Sequence, residues 1–392
     1  MNKIINIIGG GFAGVEAAIY LRKEKVENIE INLISNRDYF YIYPTSIWIP
    51  THDIKQSDIR VPLKDIALKY DFNVIVDEIT NFDFENKIVY SENKEYRSDI
   101  IILATGSAKL PVKGKEYFNS ICGTPEEAFQ IQGQLDEIIK NKSGTIAIGF
   151  GGNPKDSSSV RGGPAFEILF NIHNKLKKEG IRDNVDLIFF APMKEPGAKM
   201  GKGSLKMMRT MFDKYNIKTI FGNKILEFKE KEIILEEYDS IKADMIMFIP
   251  AGSGQDIYKK GNIELSDNGY IKTNKYNEVE QFEYVYAVGD VAALEGKHEW
   301  KAKQGHVAEV MARNVAFNIK QKLNNKQEKK SYQEHLNILC VMDTGDGAAF
   351  VYRSEKNAFI LPMPIIGHYM KKGWGWYCKN SKLGNIPRIP GM

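Results

Sequence analysis

Three glycines near the start of the chain constrain its fold more than any other feature. Gly9, Gly11 and Gly14 follow the apolar run of residues 4–8 at the GxGxxG spacing, and residues 13–22 read as a helix. The first glycine permits a tight turn, the second lets backbone approach a diphosphate, and the third lets the helix pack against the strand. Unpaired N–H groups at the positive end of the helix dipole would then hold the phosphates. A loop in this setting predicts an α/β unit that binds a dinucleotide.

Composition excludes several other classes of protein. The chain has 392 residues, enough for two or three domains, and its net charge of +4 is too small and too dispersed to indicate nucleic-acid binding. No apolar run approaches the length of about 18 residues that a membrane-spanning helix needs. The first apolar run leads straight into the glycine loop without a signal-peptide pattern, so we expect the cytoplasmic side. The 3 cysteines form no CxxC pair and the 6 histidines show no ligand spacing, so we predict no metal.

Two later buried strands end in short polar turns. Residues 98–107 end in Ala104-Thr105-Gly106, and residues 284–294 contain Gly289-Asp290. Together with the first loop, these turns resemble the three signatures of flavoproteins with two dinucleotide-binding domains. The resemblance implies an α/β fold with two Rossmann-like domains, FAD as cofactor, and a hydrogen bond from Asp290 to the ribityl or pyrophosphate region. The predicted FAD-binding residues are Gly9, Gly11, Phe12, Ala13, Gly14, Ser35, Asn36, Ala104, Thr105, Gly106, Gly289, Asp290 and Lys303.

The second strand, residues 29–35, departs from this pattern. An acid that binds ribose is expected about 20 residues after the loop, but the chain has Ser35 and Asn36 there. Asn36 either hydrogen-bonds a ribose hydroxyl, more weakly than a carboxylate would, or serves only as a turn residue.

A second glycine loop is altered. Residues 144–152 form an apolar run that ends in Gly149, Gly151 and Gly152, but the polar insert 153–161 separates these glycines from the next helix. A phosphate site needs the loop and the helix N-terminus close together. The next strand ends in Ala191-Pro192 without a ribose carboxylate. We therefore expect this middle domain to lack an NAD site and to act as a scaffold that covers one face of the isoalloxazine.

Several stretches resemble the sulfide:quinone oxidoreductases and the flavoprotein subunit of flavocytochrome c sulfide dehydrogenase. These stretches are residues 34–50, 120–128, 161–167, 303–319 and 338–351. In that family, sulfide attacks a disulfide beside the flavin. Cys340 matches one of its cysteines, but the other position reads Val160-Arg161-Gly162. The resemblance implies electron transfer from a small sulfur compound through FAD to a membrane quinone.

The missing cysteine leaves three accounts of Cys340 open, because attack on a disulfide needs one sulfur to take the nucleophile and one to leave. Cys122 or Cys378 substitutes for the missing partner. Alternatively, Cys340 alone carries a persulfide, with Arg161 lowering a thiol pKa or holding an anionic substrate. In the third account, Cys340 is a buried packing residue. The counterpart of Cys122 is bonded to the flavin in some relatives.

Two further side chains are candidates for catalysis. Lys303 matches a family lysine near the pyrimidine edge of the flavin, where a cation would stabilise the reduced cofactor. The alternative for Lys303 is an exposed lysine in the first turn of a helix. Glu167 matches a family acid, and its alternative is an ordinary residue of the first helical turn. The predicted catalytic residues are Cys340, Cys122, Lys303, Glu167 and Arg161.

The tail of residues 361–392 contains no acid and combines aromatic with basic residues. Its cations are Lys371, Lys372, Lys379, Lys382 and Arg388. Aromatic rings and cations favour a membrane interface with anionic lipid, so the tail predicts peripheral membrane contact. Packing on its own domain or on a second copy is the alternative. The glycines and prolines of the tail favour a short helix with a loop over one long helix.

We predict an FAD domain of residues 1–110 and 255–335, a middle domain of residues 111–254, and a C-terminal extension of residues 336–392. The predicted function is an FAD-dependent oxidoreductase that passes two electrons from a small sulfur reductant to a membrane quinone. Two alternatives are a type II NADH:quinone dehydrogenase and a flavin electron-transfer subunit that works with a cytochrome. A homo-oligomer fits any of the three.

Overall fold

The computed structural model describes residues 2–296 and 300–388, and predictions that extend beyond these ranges lie outside the described residues. The described strands are β1 Lys3–Ile8, β2 Ile29–Ser35, β3 Tyr39–Tyr41, β4 Arg60–Pro62, β5 Asn73–Val76, β6 Ile79–Asp83, β7 Ile88–Ser91, β8 Glu95–Arg97, β9 Ile100–Leu103, β10 Ala108–Lys109, β11 Gly144–Phe150, β12 Val185–Ala191, β13 Ile217–Phe221, β14 Ile225–Lys229, β15 Glu232–Leu235, β16 Ile241–Lys242, β17 Met245–Ile249, β18 Gly252–Ser253, β19 Val285–Ala287, β20 Ile338–Asp343, β21 Gly347–Arg353 and β22 Ala358–Pro364.

The described α-helices are α1 Phe12–Lys23, α2 Gln56–Ile59, α3 Leu63–Tyr70, α4 Pro125–Asn141, α5 Gly163–Lys178, α6 Lys202–Lys214, α7 Gly305–Leu323 and α8 Ile366–Lys382. A 3₁₀ helix, Tyr43–Trp48, follows β3.

The first sheet is parallel, with strand order β19-β9-β1-β2-β5. Its strands are apolar because both faces are covered, as parallel sheets require. Helices α1 and α7 pack against each other on one face, and the hairpins β6–β8 cover the other. The chain leaves β1 towards β2 on one side and later returns to β9 on the other. The glycine loop after β1 therefore lies at a topological switch point, where α/β sheets bind ligands.

The second sheet is also parallel, with order β13-β12-β11-β17. Helices α4, α5 and α6 contribute to the core on one face, and strands β14–β16 cover the other. The predicted α/β fold class, with two Rossmann-like sheets, is confirmed. The domain boundaries at residues 110, 254 and 335 stay predictions.

The last unit consists of the antiparallel sheet β20-β21-β22 followed by α8. Side chains alternate between its two faces. Cys340, Val351 and Ile360 pair across the sheet and pack against the core of the second sheet. Exposed apolar side chains of this unit are 41% to 67% exposed and form what we call the apolar face: Leu339, Phe359, Leu361, Ile365, Ile366, Tyr369, Met370 and Trp376. Within the described ranges, no helix is both long and apolar enough to cross a membrane.

Helix α8 is longer than the sequence predicted. The glycines of the tail indicated a short helix and a loop, yet α8 runs without a break from Ile366 to Lys382. Gly367 lies against Ala348, and Gly375 lies against Thr45, at distances where a Cβ atom would clash. Each glycine lowers helix propensity by about 1 kcal/mol. Close packing at these two contacts compensates for that loss.

Buried ion pairs hold α8 in place. Glu16 of α1 is completely buried and is paired with Lys382, with Arg388 at 2.8 Å and with Arg313 of α7 at 2.6 Å. The same cations also contact Glu309, and we call these five residues the charge cluster.

Lys371 is similarly buried, with Glu167 as its partner, and Lys379 lies 3.3 Å from Asp58. The prediction that the basic residues of the tail meet lipid is therefore wrong for Lys371, Lys382 and Arg388, because acids inside the protein neutralise them.

We expect Glu16→Gln to destabilise the protein strongly. Removing one partner of a buried ion network leaves uncompensated charge and typically costs about 3–5 kcal/mol. Urea unfolding followed by circular dichroism measures the change in midpoint. Glu179→Gln is the control, because it removes an exposed pair with Lys175 and should leave the midpoint unchanged. Equal midpoints for the two variants would contradict a stabilising role of the cluster.

Acid should weaken the same interaction. Burial alone raises the pKa of Glu16, but Lys382, Arg388 and Arg313 outweigh it and lower the pKa from 4.5 to about 2. Because the folded-state pKa is the lower one, the stabilisation is present above pH 4.5 and is lost as the pH falls towards 2. The urea midpoint of Glu16→Gln should therefore depend less on pH in this window than that of the wild type.

Candidate active site

A cavity of about 480 Å³ opens at the carboxyl ends of the first parallel sheet. Most of the predicted cofactor-binding residues line it: Gly9, Gly11, Phe12, Ala13, Ser35, Asn36, Ala104, Thr105, Gly106, Gly289 and Asp290. Gly14 and Lys303 lie outside this lining. The cavity also contains the side chains of Tyr41, Tyr43, Lys109, Cys122 and Arg161. We call it the cofactor cleft.

The surroundings of Gly9, Gly11 and Gly14 explain why the loop has glycine at each of these positions. Gly9 has φ of +116°, and a Cβ atom there would lie 2.4 Å from the Ala104 carbonyl oxygen. A Cβ atom on Gly14 would lie 1.8 Å from the Gly9 carbonyl oxygen, so this glycine lets α1 pack close to β1. Gly11 has no atom within 4 Å of its Cβ direction. The space beside Gly11 is open to a ligand.

The cleft fits the diphosphate of a dinucleotide. Gly11 is the N-cap of α1 and provides no capping side chain, and the first turn of α1 contains no acid. The backbone N–H groups at this helix end therefore have no capping side chain and are available to bind an anion. The helix dipole also favours an anion there. These residues fit FAD as the sequence predicts.

Two acids in the cleft escaped the sequence prediction. Asp77 and Glu78 follow β5, which lies beside β2, and both line the cleft near Asn36. Asp77 accepts a hydrogen bond of 2.5 Å from the Tyr96 hydroxyl. The signal was available in principle, because carboxyl ends of neighbouring parallel strands meet at one edge. The order of the strands, however, was known only from the structure.

Arg161 belongs to the stretch Val160-Arg161-Gly162, where the resemblance to the family led us to expect a cysteine, and it lines the cleft. Its guanidinium pairs with Asp290 and lies 5.8 Å from the ring centre of Tyr43. Burial lowers the pKa of Arg161, but the charge of Asp290 outweighs it and raises the pKa overall. Among the thiols, Arg161 acts electrostatically on Cys122. Arg161 thus acts electrostatically on Cys122 and is paired with Asp290, the residue predicted to bind the ribityl or pyrophosphate region.

Lys303 is buried and precedes α7 by two residues, so it is not an exposed lysine of the first turn. Its ammonium donates to the Ala292 carbonyl oxygen and lies 3.7 Å from the ring centre of Tyr270. Burial lowers the pKa of Lys303 to about 8, although Asp290 opposes the shift. Lys303 therefore lies behind the cleft, within electrostatic range of Asp290.

The three cysteines are free thiols in two different cores. Cys378 is buried in the core of the first sheet, whereas Cys122 and Cys340 pack against the core of the second sheet. Burial raises the pKa of Cys122 and, together with the charge of Glu167, raises the pKa of Cys340 to about 12. Cys378 thus belongs to a different core from Cys340, whereas Cys122 packs against the same core as Cys340.

Glu167 is a buried acid on α5 whose charge raises the pKa of both Cys122 and Cys340. It pairs with Lys371 and accepts a hydrogen bond of 2.8 Å from the Asp343 backbone N–H. Burial raises the pKa of Glu167, and Lys371 only partly opposes the shift. A buried carboxyl of this kind is a candidate acid or base.

The altered second loop is filled by its own side chains. Asn153 donates to the Gly252 carbonyl oxygen at 3.0 Å, and Asp156 accepts from the Ser158 backbone N–H at 2.8 Å. Met193 reaches the Gly152 backbone, where a Cβ atom would be 3.3 Å from its Cε. The loop is thus ordered internally, and α5 begins only at Gly163.

A larger cavity, about 860 Å³, lies between β12–β13 and the strand β16. Its lining includes Asp186, Asn216 and Lys218 but no cysteine or glycine loop. We place the site in the smaller cleft, because the glycine loop, the thiol of Cys122 and the pair of Arg161 with Asp290 line it.

A family profile, pyridine nucleotide-disulphide oxidoreductase, matches residues 3–149 and 180–313. Two curated proteins are similar over nearly the whole chain. A sulfide-quinone reductase of Aquifex aeolicus is 26% identical over 98% of this chain and 93% of its own length. A type II NADH:quinone oxidoreductase of Staphylococcus epidermidis is 24% identical, with coverages of 91% and 93%.

A solved structure is also similar over nearly the whole chain. The X-ray structure of the sulfide:quinone oxidoreductase from Aquifex aeolicus matches with a TM-score of 0.87 and 25% identity, covering 99% of this chain and 93% of the other. Fold and cleft define the class of protein, an FAD-dependent oxidoreductase. The chain belongs to the pyridine nucleotide-disulphide oxidoreductase family. Its predicted resemblance to the sulfide:quinone oxidoreductases is confirmed, and so is FAD as its cofactor.

We expect Gly11→Ala to weaken FAD binding without unfolding the protein. The backbone of Gly11 has φ of −91°, which alanine adopts, and the new methyl group would enter only the space left for the diphosphate. A rise of about tenfold in the Kd for FAD is expected, or about 1.4 kcal/mol. The flavin-to-protein absorbance ratio after gel filtration checks it.

Gly133→Ala is a matched control for this substitution. Gly133 lies on α4 and likewise has no atom within 4 Å of its Cβ direction. Alanine there should keep FAD content unchanged and raise helix stability by up to about 1 kcal/mol. Full FAD retention by Gly11→Ala would contradict the proposed place of the diphosphate.

Proposed function

We propose that this protein oxidises a small sulfur compound and transfers two electrons through FAD to a membrane quinone. The observation that carries the proposal is a buried acid, Glu167, whose charge acts on two free thiols, one of which lines the cofactor cleft. When bound, FAD supplies a two-electron acceptor for the reductant and a two-electron donor for the quinone. The similarity to sulfide- and NADH-linked quinone reductases supports the quinone as acceptor.

The reductant side of the proposal uses Cys340, Glu167 and Cys122. The thiol of Cys340 is protonated at neutral pH because its pKa is raised to about 12. Bond formation between its sulfur and hydrosulfide gives a persulfide and releases two electrons and one proton: Cys–SH + HS⁻ → Cys–S–SH + 2e⁻ + H⁺. Glu167 is the proposed acceptor of that proton. Cys122 either serves as a second sulfur or remains a neighbouring thiol.

Arg161 and Lys303 supply positive charge beside the cleft. With FAD bound, we propose that Asp290 turns to the cofactor and that Arg161 attracts the anionic sulfur compound. Lys303, buried behind Asp290, stabilises negative charge on the reduced cofactor. The cationic form of Lys303 is lost as the pH rises through about 8.

NADH is not the proposed reductant. The altered second loop is filled by Asn153, Asp156 and their partners, and twelve residues, 151–162, separate β11 from α5. The ready-made anion site at a helix N-terminus requires a short connection. This supports the degenerate middle domain that the sequence predicts.

The outcome expected in an anaerobic titration is bleaching of the flavin by sulfide and not by NADH. Cys340→Ser should abolish the sulfide reaction, because oxygen forms no persulfide. Visible absorbance at the flavin band measures both. Cys378→Ala is the control, since Cys378 lies in the other core, and it should bleach at the wild-type rate.

Each result of this titration has a distinct meaning. Loss of bleaching in both Cys122→Ser and Cys340→Ser supports a pair of sulfurs, and loss in Cys340→Ser alone supports a persulfide on Cys340. Wild-type bleaching in Cys340→Ser would contradict its role. Bleaching by NADH would favour the NADH:quinone reading, and bleaching by neither donor would favour an electron-transfer subunit.

We further propose that the apolar face lies against the cytoplasmic side of a membrane, where a lipid-soluble quinone reaches it. Ile365, Ile366 and Tyr369 are each about two thirds exposed, and large exposed apolar patches mark interaction sites. Three cysteines that remain free thiols fit a reducing compartment. Because Lys371, Lys382 and Arg388 are paired internally, the contact depends on apolar burial more than on anionic lipid.

Ile366→Asp should weaken binding to phosphatidylcholine vesicles by about tenfold or more, since it places a charge in the apolar contact. Co-sedimentation measures the bound fraction. Leu226→Asp is the matched control, because Leu226 is 44% exposed on β14, and β14 covers the face of the second sheet opposite to the core that β20–β22 contact. Unchanged binding of Ile366→Asp, or wild-type binding that high salt abolishes, would contradict the proposal.

A further inference from the structure

A histidine–aspartate dyad lies where α8 meets the last sheet. Asp343, at the end of β20, is completely buried and lies 2.9 Å from Nδ1 of His368. The carboxylate also accepts hydrogen bonds from the Trp48 indole at 2.8 Å and from the Gly345 backbone N–H at 2.5 Å. These partners fix the carboxylate, which in turn fixes the orientation of the imidazole.

The imidazole lies beside the apolar face. His368 is in the first turn of α8, and its side chain is 14% exposed. Its ring packs at right angles to the rings of Trp48 and Tyr369. Ile365 and Ile366 precede it, and both are highly exposed. The imidazole thus places a polar group at the edge of an apolar surface. A binding site for an apolar ring that bears a carbonyl oxygen requires this combination.

A single short element connects this dyad with the cofactor cleft. Tyr43 lines the cleft and Trp48 contacts His368, and both belong to the 3₁₀ helix Tyr43–Trp48. Five residues at a rise of about 2 Å each place the two ends about 10 Å apart. Helix α8 lies along this element, since Gly375 packs against Thr45. His368 therefore lies at one end of the 3₁₀ helix whose other end lines the cleft.

The other titratable groups nearby are already engaged. Glu167 and Lys371 form a buried pair behind Asp343, and the ammonium of Lys372 lies 5.7 Å from the Trp48 ring centre. His368 differs from Glu167 and Lys371 because its ring is partly exposed and only Nδ1 is bonded to the carboxylate.

We propose that His368, oriented by Asp343, donates a proton to the quinone oxygen. This inference rests on the proposed function. Reduction of a quinone requires two electrons and two protons, whereas hydrosulfide oxidation releases only one proton. The balanced reaction, HS⁻ + quinone + H⁺ → S⁰ + quinol, therefore takes one proton from solvent, and His368 delivers it. General acids of this kind contribute about 10²–10⁴-fold to a rate.

The test compares two electron acceptors for the sulfide-reduced holoenzyme. His368→Asn keeps a donor for Asp343 but removes the transferable proton. Re-oxidation by decylubiquinone should slow by about 100-fold in kcat, with KM for the quinone changed by less than about threefold. Re-oxidation by ferricyanide, which takes electrons without protons, should stay within about twofold of the wild type. FAD content and thermal unfolding verify that the variant is folded.

His52→Asn is the matched control, because His52 also lies 2.9 Å from an aspartate. That aspartate, Asp136, belongs to α4 and not to the last sheet. This substitution should leave both rates unchanged. Three results would overturn the inference: an unchanged quinone rate in His368→Asn, an equal loss with both acceptors, or a rise in KM alone. Failure of the proposed function is distinguishable, because the wild-type enzyme would then not reduce decylubiquinone at all.

Discussion

The compensation of two buried carboxylates determines how the last helix docks. Glu16 and Glu167 lie in the cores of the first and second sheets, where an unpaired charge costs several kcal/mol. Lys382 and Lys371 of α8 neutralise them. Since both lysines are on one helix, α8 has a single arrangement in which both acids are paired. That arrangement positions the 3₁₀ helix, His368 and the apolar face relative to the cofactor cleft.

Helix α1 connects this docking with the cofactor. Its N-terminus at Gly11 provides the N–H groups that face the cleft, and Glu16 lies little more than one turn further on. Lys382 contacts Glu16 and Glu309, so α8 is joined to α1 and also to α7. The cleft lies at the N-terminus of α1, and much of the apolar face lies on α8, so these ion pairs join the two regions.

The sequence predicted the parts of the site that depend on local backbone geometry. Gly9, Gly11 and Gly14 were recognised from their spacing, and the structure gives Gly9 and Gly14 the close contacts, and Gly11 the open space, that the spacing implies. Asp77 and Glu78 were missed because their approach to Asn36 depends on the order of strands β2 and β5. Lys303 was chosen for its match to the family, but its burial against Tyr270 follows from packing that no local pattern shows. The pairing of Arg161 with Asp290 was also not predicted, because 129 residues separate the two along the chain.

The sequence by itself determined the α/β fold, the first glycine loop and the long insert after the second, because these follow from spacings within about twenty residues. Only the tertiary structure decided what the tail does. Its lysines look like a lipid-binding cluster when read in order, yet Lys371, Lys382 and Arg388 face acids that come from α1, α5 and α7. Charge on a side chain is fixed by the sequence, but its partner is fixed by burial. The free energy of burying a charge selects the partner over distances that no sequence pattern spans.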